Sequence, residues 1–151
     1  VSRQSIPVRT PGLVDWDAAN DNDNGLTVML RHGSHRFFFL GDVSERIEER
    51  LASTMPKVTI LQVSHHGSKT ASSPSLIAAA APKTAVIQSG VDNRYGHPHA
   101  QTLSRWVGTK VLRTDILGSV RFRSDGHELI AQRWSKVFGW RSLSDRRPEL
   151  H

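Results

Sequence analysis

The sequence predicts a single domain of the α/β class, in which a sheet is layered against helices. Short apolar runs rich in β-branched residues alternate along the chain with short segments that carry helix caps and helical spacing. This alternation is typical of strands joined by helices. A chain of 151 residues is long enough for one hydrophobic core and too short for two comparable ones.

The first strands and the first helix are predicted in the N-terminal half of the chain. Residues 1–25 carry prolines and the polar run NDNDNG without an apolar period, which predicts an irregular segment that turns into a strand. LTVML and RFFFLGD flank the turn RHGSH and predict a hairpin that ends in a buried strand. In SERIEERLAST, Ser44 stands at the N-cap position, and Ile47 and Leu51 share one helical face.

Strands and helices alternate through the middle of the chain. VTILQV, TAVIQS and KVLRT are apolar runs that predict buried strands. Between them, SSPSLIAAAAP predicts a helix with Ser73 as its cap and Pro74 at its first position, and HAQTLSRWVG predicts another.

The C-terminal part is predicted to form a hairpin followed by a tail. SVRFRSDGHELIAQRW contains Asp125-Gly126, a strong hairpin-turn signal, between two strand-like runs. The remaining SKVFGWRSLSDRRPELH is basic, with scattered aromatic residues and no clear period. The expected organisation is therefore an irregular segment over residues 1–25, a domain over residues 26–133 and a basic tail over residues 134–151.

Composition limits the possible partners. The net charge of +6 and the pI of about 10.5 favour a polyanionic partner such as nucleic acid, although a basic surface without a partner explains them as well. The absence of cysteine excludes disulfides and thiolate metal sites. No apolar run is long enough to span a bilayer, so we expect no membrane contact from this chain itself.

Polar side chains follow three of the predicted strands. Asp42 follows the first, the run SHHGSKT follows the second, and SGVDNRYGHPH follows the third. The loops after parallel strands lie at one edge of a sheet, and carboxylate and imidazole groups suit zinc or manganese. Each loop alone has an ordinary structural role open to it: a helix cap, a histidine pair on the surface, or a turn made rigid by Pro98. Their convergence indicates a site.

These motifs carry a family resemblance. FFFLGDV, LQVSHHGSKTASSP, NRYGHPHAQTL and VLRTDILGSVRFRSDG resemble, in order and spacing over about residues 22–126, the later half of the metallo-β-lactamase-fold domain of the ComEC family of bacterial DNA-uptake competence proteins. The resemblance implies the C-terminal half of an αββα fold, two divalent metal ions (zinc or manganese) and hydrolysis of DNA phosphodiesters. It places the parent protein in the bacterial inner membrane, with this domain as a soluble part and a membrane channel elsewhere.

The resemblance also implies roles for individual residues. Asp42 matches the carboxylate that bridges the two metals, and His65 matches the histidine of the second metal site, with His66 as the less favoured member of the pair. The catalytic positions near the scissile phosphate match His97 and His99. The residues expected to contact DNA or its phosphates are Ser68, Lys69 and Arg94.

One part of the family pattern is missing from the sequence. An HxHxDH-type motif occurs nowhere in it, and His32 and His35 stand on the tip of the predicted hairpin. We therefore expect a partial domain that is weakly active or inactive alone and that pairs with an upstream half in the parent protein. The alternatives are a stand-alone metallo-hydrolase of small esters, lactones or phosphoesters, and a degenerate domain that binds DNA without catalysis.

Overall fold

A computed structural model describes residues 21–143 and confirms the predicted mixed α/β class. The strands are β1 Val28–His32, β2 His35–Phe39, β3 Ile60–Gln62, β4 Thr84–Ile87, β5 Lys110–Arg113, β6 Val120–Ser124, β7 Leu129–Ser135 and β8 Gly139–Ser142. The helices are α1 Glu45–Ala52, α2 Pro74–Ala80, α3 Ala100–Ser104 and α4 Thr114–Leu117, with 3-10 turns at Asp21–Asn24 and Ser64–Gly67.

The strands form two sheets, and the helices add a third layer. The larger sheet has the order β1-β2-β3-β4-β5, in which β1 pairs antiparallel with β2 and the remaining neighbours are parallel. Alternate side chains of this sheet, such as Leu61 and Ala85, pack with Leu76 and Trp106 of the helical layer. The smaller sheet, β6-β7-β8, is antiparallel.

The opposite face of the larger sheet meets the smaller sheet. Ile60 and Val86 pack there with Phe122 and Leu129. A cavity of about 500 Å³ opens beside this contact, at the strand ends that carry residues such as Lys110. It lies at the amino ends of the parallel strands, away from the predicted site. Within residues 21–143, no helix is long and apolar enough to cross a membrane.

The structure differs from the sequence prediction near both ends of the described region. β7 continues to Ser135 and β8 pairs with it, so part of the expected basic tail over residues 134–151 forms strands of the smaller sheet. Residues 144–151 lie outside the described residues, as do residues 1–20 of the expected irregular segment. The helix predicted from HAQTLSRWVG is shorter than expected, and α4 was not predicted.

The start of α1 depends on a residue that is distant in sequence. Ser44 occupies the N-cap position as predicted, but its side chain makes no capping bond. Instead, the carboxylate of Asp23 accepts the Ser44 N–H at 2.9 Å and pairs with Arg46 at 3.4 Å. Burial raises the pKa of Asp23, but the hydrogen bonds from Ser44 and the charge of Arg46 outweigh it and hold the pKa below its usual value.

A buried carboxylate on α1 organises the chain after β3. Glu48 is fully buried. Its Oε1 accepts the Ser64 hydroxyl and the Ser72 N–H at 2.9 Å, and its Oε2 accepts the Ser73 N–H at 2.5 Å. One side chain of α1 therefore fixes both ends of the segment that carries the two adjacent histidines.

The loops after β3 and β4 are packed against each other through Gly67. Gly67 has φ +79°, and a Cβ added to it would lie 2.7 Å from Pro98 Cβ. Its carbonyl accepts the His99 N–H at 3.0 Å, and Thr102 Oγ1 donates to the Ser68 carbonyl at 2.6 Å. Only glycine satisfies both the left-handed backbone and the close approach.

Replacing Glu48 by alanine should lower the free energy of unfolding by about 3–5 kcal/mol, because three buried donors lose their acceptor. The matched control is Glu49→Ala, an exposed glutamate of the same helix, which should change stability by no more than about 0.5 kcal/mol. Urea unfolding followed by circular dichroism measures both. Equal losses for the two variants would show that the buried carboxylate does not organise the loop.

Replacing Gly67 by alanine should destabilise the protein more than the same change at Gly108. Gly108 has φ +82° but no atom within 4 Å of an added Cβ, so it reports the backbone strain alone, about 1–2 kcal/mol. Gly67→Ala should cost about 1–3 kcal/mol more, because the methyl group must displace Pro98. Thermal unfolding of both variants tests this, and identical melting temperatures would argue against tight packing of the two loops.

Candidate functional site

The three predicted loops do lie along one edge of the sheet. Because β2, β3, β4 and β5 are parallel neighbours, their carboxyl ends share that edge. The ends are Phe39, Gln62, Ile87 and Arg113. The loops with Asp42, the adjacent histidines and the GHPH run therefore emerge side by side, as the sequence indicates.

A buried glutamine joins the first two loops. Gln62 Oε1 accepts the N–H groups of Leu40 at 2.9 Å and Gly41 at 3.1 Å, while its Nε2 donates to the Val63 carbonyl at 2.6 Å. The Gly41 carbonyl in turn accepts the His65 N–H at 3.0 Å. The backbone that carries Asp42 is thus held directly against the backbone that carries the histidines.

Both adjacent histidines have a left-handed backbone. His65 has φ 45° and His66 has φ 54°, a region that costs a non-glycine residue roughly 1–2 kcal/mol. Two such residues in succession are unusual. Strain of this kind persists only where the surrounding contacts enforce it, and it is concentrated at functional sites.

The imidazole beside Asp42 is that of His66, which the sequence analysis ranked below His65. His66 Nε2 lies 3.7 Å from Asp42 Oδ1, and both side chains are about half exposed, at 50% and 44%. His66 Nδ1 lies 2.7 Å from the Gln88 carbonyl. Because a carbonyl only accepts, Nδ1 donates, which orients the ring and leaves Nε2 facing the carboxylate.

This arrangement has a chemical consequence. In the tautomer that donates from Nδ1, His66 presents the lone pair of Nε2 to a carboxylate oxygen of Asp42, and the space between them suits a cation, a proton or a bridging water. Two ligands bound at about 2.1 Å in tetrahedral geometry are about 3.4 Å apart, close to the observed 3.7 Å. The pair therefore has the donor chemistry and the separation of two ligands of one metal ion.

His97 lies at the centre of a cluster of four imidazoles. Its ring centroid is 5.8 Å from that of His65, 6.4 Å from that of His66 and 5.3 Å from that of His99. Asn93 holds the loop: its Oδ1 accepts the His97 N–H at 2.9 Å and its Nδ2 donates to the His97 carbonyl at 2.6 Å. Burial and the neighbouring imidazoles lower the pKa of His97, which keeps it neutral at pH 7.

The residues expected to contact DNA have different surroundings. Lys69 and Arg94 are exposed, and the Arg94 guanidinium contacts Tyr95, 2.5 Å from its hydroxyl and 4.8 Å from its ring centroid. Ser68 is only 6% exposed, and its hydroxyl lies 3.2 Å from that of Thr70. Burial favours a structural role for Ser68 in the loop, whereas Lys69 and Arg94 lie at the surface.

The described donors do not complete a metal site. Between residues 21 and 143, no three His, Asp or Glu side chains are grouped so that they could hold an ion, whereas a zinc site takes three or more protein ligands. The donor types at Asp42 and His66 fit a metal, but the number of donors does not.

A fourth loop lies at the same edge and was not predicted from the sequence. After β5, Thr114 Oγ1 donates to the Ser89 carbonyl at 2.8 Å and accepts the Ser89 N–H at 2.9 Å. The guanidinium of Arg113 beside Asp115 lowers the pKa of that carboxyl, although burial opposes the shift. The polar residues Arg113, Thr114 and Asp115 at the end of the predicted strand KVLRT were the available signal.

Parts of the chain are similar in sequence to known bacterial proteins. No protein-family model matches the chain. It is 34% identical over 111 residues to ComE operon protein 3 of Bacillus subtilis, covering 71% of this chain and 14% of that protein. It is 34% identical over 103 residues to recombination protein 2 of Haemophilus influenzae, covering 67% and 13%. It is 36% identical over 110 residues to competence protein ComA of Neisseria gonorrhoeae, covering 68% and 16%.

The chain spans 13–16% of the length of these relatives, so the similarity concerns one segment of much longer proteins. Over 67–71% of its own length, the chain is therefore similar to a segment of each of these bacterial proteins, one of which is named a competence protein.

Proposed function

We propose that this chain contributes one side of a metal-dependent hydrolase site that cleaves DNA phosphodiesters during competence DNA uptake. The observation that carries the proposal is the opposed pair of Asp42 and His66, 3.7 Å apart on two loops at the carboxyl edge of the sheet. The left-handed backbone of both loop histidines and the competence-related relatives support it.

The metallo-β-lactamase type of fold belongs to the same proposal. Helices pack on one face of the five-stranded sheet and a second sheet packs on the other, an α-β-β order that matches three of the four layers of an αββα sandwich. The remaining metal ligands would come from an upstream half of the domain in a longer protein. That half and a membrane channel are the partners proposed for the chain.

The residues of this chain have limited roles in the proposed reaction. Asp42 and His66 would hold zinc or manganese, which supplies a polarised water and offsets charge on the phosphate. His97, neutral at pH 7 because of its lowered pKa, is suited to accept a proton, and His99 lies beside it. Lys69 and Arg94 would attract the phosphate backbone.

A second candidate is a domain that binds DNA without cleaving it. The absence of a three-donor group in the described part of the chain and the net charge of +6 favour this alternative. Metal binding separates the two candidates, because only the hydrolase needs the Asp42–His66 pair to accept a cation.

Isothermal titration of the chain with Mn²⁺ tests the metal site. Asp42→Asn and His66→Gln should each weaken binding by at least about tenfold, since even supporting residues of metal sites contribute that much. His65→Gln should have a smaller effect, because the imidazole beside Asp42 is that of His66. His127→Gln, an exposed histidine in the turn after β6, is the matched control.

Two results would contradict this assignment. A larger effect at His65 than at His66 would restore the role that the resemblance implies for His65. No loss of binding in either the Asp42 or the His66 variant would favour the DNA-binding candidate. Cleavage is measured in a longer protein that carries this chain with the upstream half, where Asp42→Asn should abolish metal-dependent hydrolysis of DNA.

A pH titration of the histidines by NMR tests the environment of His97. Burial and neighbouring imidazoles disfavour its protonated form, so its ring should protonate at a lower pH in the folded protein than in the denatured chain. The imidazole of His97 should also lower the free energy of unfolding as the pH falls through about 6.5, because this imidazole binds a proton more readily in the unfolded chain than in the folded one. Titration of His97 in the folded protein at or above the pH found for the denatured chain would contradict the packed cluster.

A further inference from the structure

We propose that the outer face of the smaller sheet binds single-stranded nucleic acid by stacking bases on tryptophan. We call this surface the tryptophan face. It is formed by the outward residues of β6, β7 and β8: Arg121, Arg123, Ile130, Gln132, Trp134 and Trp140. The choice of DNA rather than RNA rests on the proposed function, whereas the binding surface itself does not require the metal site.

Strand alternation determines which residues form this face. Phe122 and Leu129 point inward, because they pack against Phe37, Ile60 and Val86 of the larger sheet. Arg121 pairs with Gln132 across the β6–β7 ladder, and Trp134 pairs with Trp140 across the β7–β8 ladder. Because successive side chains of a strand point to opposite faces, these four residues point away from the core.

The tryptophan face is exposed and held in place. Trp134 is 48% exposed, and its ring meets that of Trp140 edge to face, with centroids 5.4 Å apart. The Arg121 guanidinium lies 4.1 Å from the centroid of Trp140 and donates to Gln132 Oε1 at 2.7 and 3.1 Å. A base that stacks on Trp134 would therefore meet a surface that is already ordered.

The charge of the sheet indicates a polyanionic ligand. The strands VRFRS, LIAQRWS and GWRS contain four arginines and no acidic residue. Two of them, Arg121 and Arg123, lie on the tryptophan face, whereas the other two pair with each other across the β7–β8 ladder on the opposite face. Arginine and aromatic residues on one face of an open sheet provide cations for the phosphates and ring faces for the bases. A protein partner would have to desolvate these guanidinium groups and would need matching carboxylates.

Single strands fit this face better than duplexes do. A duplex buries the faces of its bases within its own stack, so an indole ring cannot stack on them, whereas an unpaired strand presents every base. Stacking does not distinguish between bases, so we expect little sequence preference.

The tryptophan end of the smaller sheet lies towards the histidine edge. The Trp134 N–H donates to the Ser119 carbonyl at 2.9 Å, and Ser119 follows α4, which begins at the carboxyl end of β5. At the other end of the smaller sheet, the Gly126 carbonyl accepts the Ser34 N–H at 2.8 Å, in the turn that precedes β2. A single-stranded nucleic acid bound across the tryptophan face can therefore continue towards the candidate site.

Fluorescence anisotropy with a fluorescein-labelled dT20 oligonucleotide in low salt and EDTA tests the proposal. Trp134→Leu should weaken binding by roughly five- to 100-fold, since stacking on an aromatic side chain contributes that much per base. Trp134→Phe should stay within about threefold of the parent chain, because phenylalanine keeps a ring face. Arg121→Gln should also weaken binding, and Lys57→Gln, an exposed charge before β3, is the control for net charge.

The outcomes separate base stacking from general attraction by positive charge. Equal binding by Trp134→Leu and the parent chain would overturn the proposal. Equal losses of dT20 affinity in Trp134→Leu and Trp134→Phe would also overturn the proposal, since an aromatic ring at this position would then not be enough to bind a base. If circular dichroism shows that Trp134→Leu is unfolded, the comparison of Arg121→Gln with Lys57→Gln tests the proposal instead. The proposal is wrong if Arg121→Gln loses no more affinity for dT20 than Lys57→Gln does.

A final comparison distinguishes this proposal from the proposed function. Mn²⁺ binding by Asp42→Asn and dT20 binding by Trp134→Leu are measured separately, because Asp42 is not part of the tryptophan face and the dT20 measurement contains EDTA. If Trp134→Leu binds dT20 normally while Asp42→Asn loses Mn²⁺, only the nucleic-acid surface is wrong. If Asp42→Asn keeps Mn²⁺ while Trp134→Leu loses dT20, only the metal site is wrong.

Discussion

The candidate site depends on one buried carboxylate. Glu48 is fully buried, and it accepts hydrogen bonds from the residue before the adjacent histidines and from two backbone groups at the start of α2. A buried charge is tolerated only when its oxygens are well satisfied. The segment from Ser64 to Ser73 therefore has little freedom to rearrange without leaving that charge unpaired.

This constraint explains how two strained residues persist at the carboxyl edge. The left-handed backbone of His65 and His66 is enforced from one side by Glu48 and from the other by the contact of Gly67 with Pro98. The site is thus ordered before any ligand binds. Pre-organisation of this kind lowers the conformational cost of binding a cation or a phosphate.

The two proposed surfaces divide the chemistry between the two sheets. The carboxyl edge of the larger sheet carries carboxylate and imidazole groups, which suit a cation and proton transfer. The smaller sheet carries arginines and exposed indoles without acidic residues in its strands, which suits phosphates and bases. Ser119 and α4 connect the two surfaces, so the division is compatible with a single nucleic-acid ligand that reaches both.

The sequence alone determined the α/β class, most of the strands and the edge at which the polar loops meet. These features follow from local patterns, namely apolar period, caps and turn residues. Only the tertiary structure decided that His66 lies beside Asp42, that Asp23 rather than the Ser44 side chain accepts the bond at the start of α1, and that Glu48 is buried. It also placed Gly139–Ser142 in a strand. The reason is that these outcomes depend on which distant residues meet, and short-range periodicity carries no information about the partner of a polar side chain.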